Sequence, residues 1–275
     1  MIEKSSVVFA NHDDEDIVCD VRFRPGTGRQ AVVVIFHSFM AFKDWGWFPL
    51  AGERIADAGF TAVICNFSRN GVKENANRIT DFEAFRHNTI SHELADAQIV
   101  LDRVSQGAIR AVDSARLAVL GHSRGGGIAI LAAEQSDSVK ALVTWSSVAT
   151  FDRWTPHQKG QWRKLGFLPL SRDTAASPLR LGAESLEDLE HNHESLDLLR
   201  AAAHLHKPWL LVHGQEDVVV RFSEAEQLYA ATDHGITDFL ALPHAGHTYG
   251  GSDFKADSRI HDVLHRTIHW LKDHV

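Results

Sequence analysis

Cysteine is scarce in this chain: two in 275 residues, Cys19 and Cys65, each inside a strand-like run. So few cysteines exclude a disulfide framework and point to a reducing, cytoplasmic compartment. Basic excess is missing too, since 28 Lys and Arg stand against 36 Asp and Glu for a net charge of -8. Nucleic acids and anionic membranes need clustered Lys and Arg, so neither is expected as a partner. No apolar run approaches the ~20 residues of a membrane helix. The opening MIEKSSVVFANHDDED has no basic segment followed by an apolar core, so no signal peptide is expected. Internal repeats and low-complexity stretches are lacking as well. What is present, 44% apolar and 23% charged residues, suits a chain able to bury a sizeable core.

Strand and helix patterns alternate along most of the sequence. Residues 5–10 and 16–24 flank the acidic turn NHDDED and predict an antiparallel hairpin. AVVVIFH (31–37) is a continuous apolar run, typical of a strand covered on both faces. Helical patterns at 47–59, 91–106 and 125–135 then alternate with strand patterns at 60–68, 115–123 and 139–147. Ser91 is placed to cap the second helix, and Ser223 with Glu226 has capping-box spacing at the start of SEAEQLYAA. Strands at 208–214 and 237–244 and a helix at 258–275 complete the pattern. Such alternation predicts an α/β fold with a mostly parallel central sheet and helices on both faces.

The alternation breaks at residues 148–207, which hold Trp154, Trp162, Pro156, Pro169 and Pro178, then a helix-like 185–205. Connections in such units usually run about 2–6 residues. This segment therefore reads as a small lid inserted within a single 1–275 domain.

One short stretch carries chemistry. Gly121-His122-Ser123-Arg124-Gly125 fits G-x-S-x-G, with a strand before it and an alanine-rich helix after it. That pattern lifts a serine hydroxyl above a sheet on a sharp turn, and a side chain two residues to either side would collide across it. The helix N-terminus beneath Ser123 favours negative charge forming above it. A serine hydroxyl needs a base, and the base needs an orienting acid. GQEDVVV offers Glu216 and Asp217 just past a strand, and PHAGHTYG offers His244 and His247 just past the next. Among 18 histidines, His247 stands out by its position on a glycine-containing loop at the carboxyl edge of the sheet, with His244 as an alternative. The backbone N–H of Arg124 and one from HSFMAFKDWGW, chosen as Phe39, would hold an oxyanion.

With these pieces in place the chain resembles the α/β-hydrolase superfamily from about residue 16 to its C-terminus. The pieces are HSFMAFKDW for the oxyanion loop, GHSRGG for the elbow, HGQEDVVV for the acid and AGHTYG for the base. It is most similar to dienelactone-hydrolase-like and cinnamoyl-esterase-like members, whose first motif reads His-Gly-Phe. Ser38 stands where that motif has glycine. The resemblance implies Asp217 as the acid, from its spacing to His213 and Gly214, and a Ser123–His247–Asp217 triad. Dienelactone hydrolases use a cysteine nucleophile, and neither cysteine here sits at an elbow, so their substrate is not implied. Dehalogenases and epoxide hydrolases need an aspartate where Ser123 stands.

The function expected is hydrolysis of a small carboxylic ester, with Trp154, Trp162 and Phe167 either lining a pocket or anchoring the lid. Amide, thioester or C–C cleavage by the same residues, or ligand binding without catalysis, are the competing readings. No metal or cofactor is expected. His261, His265 and His269, and EHNHE at 190–194, read as wet helix faces, and no Lys-Ser or Lys-Thr follows the glycines to make a phosphate loop.

Overall fold

Every residue of the strand Gln30–Phe36 is buried. Val32, Val34 and Phe36 pack into one core layer and Val33 and Ile35 into the other, as the two-residue period of a strand covered on both faces requires. The computed structural model describes residues 1–26, 28–73, 76–110, 112–170, 179–250 and 259–275. In chain order its elements are β1 (Glu3–Ala10), β2 (Asp16–Phe23), β3 (Gln30–Phe36), α1 (Phe48–Asp57), β4 (Thr61–Cys65), α2 (Phe82–Arg86), α3 (Ile90–Ser105), β5 (Val112–His122), α4 (Arg124–Gln135) and β6 (Val139–Trp145). Then come α5 (Pro156–Leu165), β7 (Phe167–Pro169), β8 (Arg180–Gly182), α6 (Ala183–His191), α7 (Leu198–His204), β9 (Trp209–Gly214), α8 (Phe222–Ala231), β10 (Thr237–Leu242) and α9 (Ile260–His274).

Eight strands form one sheet in the order β1-β2-β4-β3-β5-β6-β9-β10. The hairpin β1–β2 pairs antiparallel and joins β4 antiparallel, while all other neighbours are parallel. Helices α3, α4, α7 and α8 bury their apolar faces on one side, α1 and α9 on the other. Cys19 and Cys65 are partners across β2 and β4, both buried free thiols. Among the described residues no helix is long and apolar enough to cross a membrane.

Two helix starts differ from expectation. Thr89, not Ser91, caps α3 by accepting from His92 N–H, and the Ser91 N–H is instead taken by Asp188. Helix α8 begins at Phe222 with Arg221 at its N-cap and no side-chain cap. Ser223 thus lies inside the first turn, because the tight turn 217–221 leads straight into the helix.

Within 148–207 the expected long helix is two short ones, α6 and α7. Asp197 starts the second by accepting from the N–H groups of Leu199 and Arg200. Unforeseen are α5, closed by a Thr155–Gln158 capping box, and an antiparallel pair β7–β8. Trp162, Leu168, Leu181 and Leu186 form a third apolar cluster with Phe85 of α2, apart from the two main layers. Residues 171–178, Pro178 included, lie outside the described residues, as does residue 258 of the last expected helix.

Candidate active site

Ser123 joins β5 to α4 with φ 58° and ψ −120°, a conformation that costs a non-glycine residue about 1–3 kcal/mol. Neighbours hold it there. Its N–H donates to Trp145 O at 2.9 Å, and its carbonyl accepts from Gly126 N–H at 3.0 Å. The turn closes so tightly that a Cβ at Gly121 would meet Gly125 O at 2.1 Å, and one at Gly125 would meet His37 O at 2.3 Å. Both glycines are needed for close approach, as the sequence predicts. The Ser123 hydroxyl makes no hydrogen bond to a described residue and faces a cavity of about 350 Å³ that His247 also lines.

Asp217 follows β9 and is sealed from solvent, its side chain 0% exposed. Oδ1 accepts from the N–H groups of Val219 and Val220, both at 2.9 Å, and Oδ2 accepts from His247 Nδ1 at 2.8 Å. His213 Nε2 lies 3.4 Å from the same Oδ2 and donates to Val220 O at 2.9 Å. Burial alone would raise the Asp217 pKa. The hydrogen bonds from His213, His247 and Val220 and the charge of His247 outweigh it, holding the carboxyl well below the usual carboxylate range. An ionised Asp217 fixes the proton of His247 on Nδ1 and leaves Nε2 as a lone-pair acceptor. The alternatives lie elsewhere: His244 Nδ1 pairs with Glu216 Oε1 at 2.9 Å on the surface, and neither lines the cavity. Among the described residues no hydrogen bond closes the last gap, from His247 Nε2 to Ser123 Oγ; such contacts often tighten only when substrate binds.

The loop after β3 is held by His37. Its Nε2 accepts from the Phe67 N–H and the Asn70 amide, both at 3.3 Å, so the ring proton sits on Nδ1 and is donated to Ser38 O at 2.9 Å. Burial drives its pKa down to about 4, which keeps that neutral tautomer. Ser38, standing where similar enzymes have glycine, is not among the positive-φ residues; the left-handed position falls at Met40, φ 61°. The serine therefore fits without strain. Phe39 and Arg124 both line the cavity, and the backbone N–H of each is without a hydrogen-bond partner among the described residues.

Trp154 and Trp162 line the cavity and also anchor the segment above it. Their rings meet edge to face at 5.7 Å, and Trp162 Nε1 donates to Gly182 O at 2.9 Å. Phe167 does not reach the cavity and sits under Arg180 instead. His261, His265 and His269 stay exposed along α9, and EHNHE is exposed apart from half-buried Asn192. A cluster the sequence did not suggest, Asp13, Glu15 and His92, has metal-ligand spacing. The Arg69 guanidinium already bridges its two carboxylates at 2.8–3.0 Å.

Residues 54–275 match the family model described as "Prolyl oligopeptidase family". The chain belongs to the prolyl oligopeptidase family. Its fold is that of the α/β hydrolases, with a mostly parallel sheet. The esterase domain of a Rhodothermus marinus protein is 19% identical, with 99% of each chain covered and a TM-score of 0.67. Est1E from Butyrivibrio proteoclasticus is 16% identical over 98% of each chain, with a TM-score of 0.71. The α/β hydrolase GrgF from a Penicillium species is 16% identical over 99% of each chain, with a TM-score of 0.76. A search of curated proteins by sequence finds no match.

The supporting roles of two further histidines of this hydrolase, in the elbow and acid motifs, escaped the sequence reading. His122 is buried, and burial drives its pKa down to about 3, so it is neutral and donates from Nε2 to His247 O at 2.9 Å. It ties the loop bearing His247 to the strand bearing Ser123. His213 braces the far side of Asp217. Both precede a glycine or serine at the carboxyl end of a parallel strand, a position they share with the third buried histidine, His37, which follows β3 and precedes Ser38.

Proposed function

We propose that the protein is a serine hydrolase that cleaves small carboxylic esters with Ser123, His247 and Asp217. The reading rests on one observation: a buried, ionised carboxylate holds the His247 imidazole, which lines the same cavity as Ser123, a serine on a strained turn whose hydroxyl makes no hydrogen bond among the described residues. The Asp217 carboxylate and the Ser123 backbone are each fixed by neighbours that do not themselves react.

In the proposed reaction His247 Nε2 takes the Ser123 proton as Oγ attacks the ester carbonyl. The N–H groups of Phe39 and Arg124 donate to the oxyanion, assisted by the N-terminus of α4. His247 then gives its proton to the departing alcohol, leaving an acyl-serine. A water, deprotonated by the same nitrogen, attacks that acyl group; the acyl–Oγ bond breaks, Ser123 Oγ takes the proton back from His247, and the acid is released. Asp217 keeps its own charge throughout and stabilises the imidazolium.

Ester is favoured over peptide by the esterase names of two structural relatives and by a cavity rich in aromatic side chains. Family membership favours the second reading, cleavage of a short peptide or other amide. The two buried free thiols suit a reducing compartment, and the proposal extends to a cytoplasmic enzyme. The test is Ser123→Ala, assayed with p-nitrophenyl butyrate and a proline-containing peptide anilide. Loss of ester turnover in a folded variant, with the wild type slower on the anilide, supports the proposal. Full ester turnover in the variant would refute it.

A further inference from the structure

We infer that the Arg124 guanidinium is a receptor for a carboxylate carried by the substrate, so that the preferred esters are anionic. The inference rests on the esterase reading above and specifies its substrate.

Two arginines and no acidic side chain line the cavity among the described residues, in a chain whose net charge is -8. The arginines differ in what they have left to offer. Arg153 is engaged at both prongs of its fork: Nη1 donates to both oxygens of Glu224 at 2.6 Å and Nη2 to Val219 O at 2.9 Å. Arg124 is held by one edge only. Its Nε donates to Glu93 Oε2 at 2.9 Å, and neither Nη donates to any described residue. The hold is firm, because Glu93 is itself buried and its other oxygen accepts from Asn88 Nδ2 at 2.7 Å. The guanidinium also lies over the Phe39 ring, with Cζ 4.6 Å from the ring centroid. A guanidinium fixed at Nε and stacked on a ring keeps its Nη1/Nη2 edge as a two-pronged donor, the geometry that matches a planar carboxylate. Glu93 cancels much of its net charge, so recognition comes from paired hydrogen bonds rather than from a long-range field. Arg124 also follows Ser123 directly, which puts the anion near the reacting carbonyl.

The experiment compares isosteric ester pairs: monomethyl glutarate against methyl 5-methylhexanoate for an acyl-side anion, and 4-acetoxybutyrate against 4-methylpentyl acetate for an alcohol-side one. The wild type is expected to prefer the anionic member of at least one pair by about 10-fold or more in kcat/KM. Arg124→Met removes that preference, and Arg124→Lys, a point charge without the fork, restores only part of it. A wild-type ratio near one in both pairs overturns the inference while leaving the esterase reading intact. So does an Arg124→Met variant that loses equally on both members, because that is the signature of general oxyanion stabilisation. A second arm needs no turnover. Calorimetric binding of monomethyl glutarate to Ser123→Ala should weaken about 10-fold when Arg124→Met is added. If it does so while wild-type enzyme hydrolyses no ester, the receptor stands and the esterase reading fails.

Discussion

Two carboxylate–imidazole pairs sit side by side in this molecule. Asp217 and His247 meet at 2.8 Å, and Glu216 and His244 meet at 2.9 Å. The carboxylates are chain neighbours and the histidines are three apart, yet only the first pair has a histidine that lines the cavity beside Ser123. Side-chain exposure is 0% and 14% in the first pair against 62% and 78% in the second. Asp217 receives two backbone N–H groups and lies beside His213, whereas among the described residues the Glu216 side chain is partnered by His244 alone. In water such a pair is screened and loosely held; in a closed site the same distance fixes a tautomer and a direction. On the proposed reading, burial and further partners, and not length of contact, distinguish the catalytic pair.

The comparison breaks if both pairs respond alike to substitution. His247→Ala should lower kcat for a simple ester about 10⁴-fold or more, while His244→Ala stays within about twofold. Asp217→Asn should cost about 10³- to 10⁴-fold through a misplaced imidazole proton, and Glu216→Gln next to nothing. Steady-state kinetics on the four purified variants, with circular dichroism to check folding, decide both. His213→Asn sharpens the point: it touches no reacting atom, so it should cost about 10-fold in kcat with KM little changed, as expected of a positioning residue.

The smallest effect separates buried from exposed imidazoles by pH. His37 and His122 have folded-state values of about 4 and about 3 against 6.5 for the free group. The unfolded chain therefore binds protons that the folded one refuses, and stability falls as pH drops below about 6.5. Each site should remove up to about 2 kcal/mol between pH 6.5 and 5, visible in urea unfolding and reduced in His37→Gln. Asp217, with its lowered pKa, acts in a separate window. Its contribution is complete above the unfolded value of about 3.9 and is lost as pH falls further.

Much of this site could be read in the sequence because its geometry forces particular residues. A turn that places Gly125 O at 2.1 Å from any Cβ on residue 121 admits only glycine there, so the elbow writes itself into the chain. The strand–helix alternation was legible for the same reason, as layers buried on both faces need unbroken apolar runs. The segment over the cavity obeys weaker constraints. Trp162 and its few apolar neighbours make a small cluster, which many arrangements of short elements would satisfy, so α5, β7 and β8 left no periodic trace. Supports such as His213, His122 and Glu93 were silent because their value lies in contacts across 4 to 125 residues of chain. Ser38, standing where the similar enzymes have glycine, needs no glycine here, since the left-handed backbone position falls at Met40.

The most direct test of the central claim is peptide mapping after reaction with a fluorophosphonate. The account expects a single adduct on Ser123, lost in His247→Ala and retained in His244→Ala. An adduct on another residue, or ester turnover that survives with Ser123 unlabelled, would contradict it.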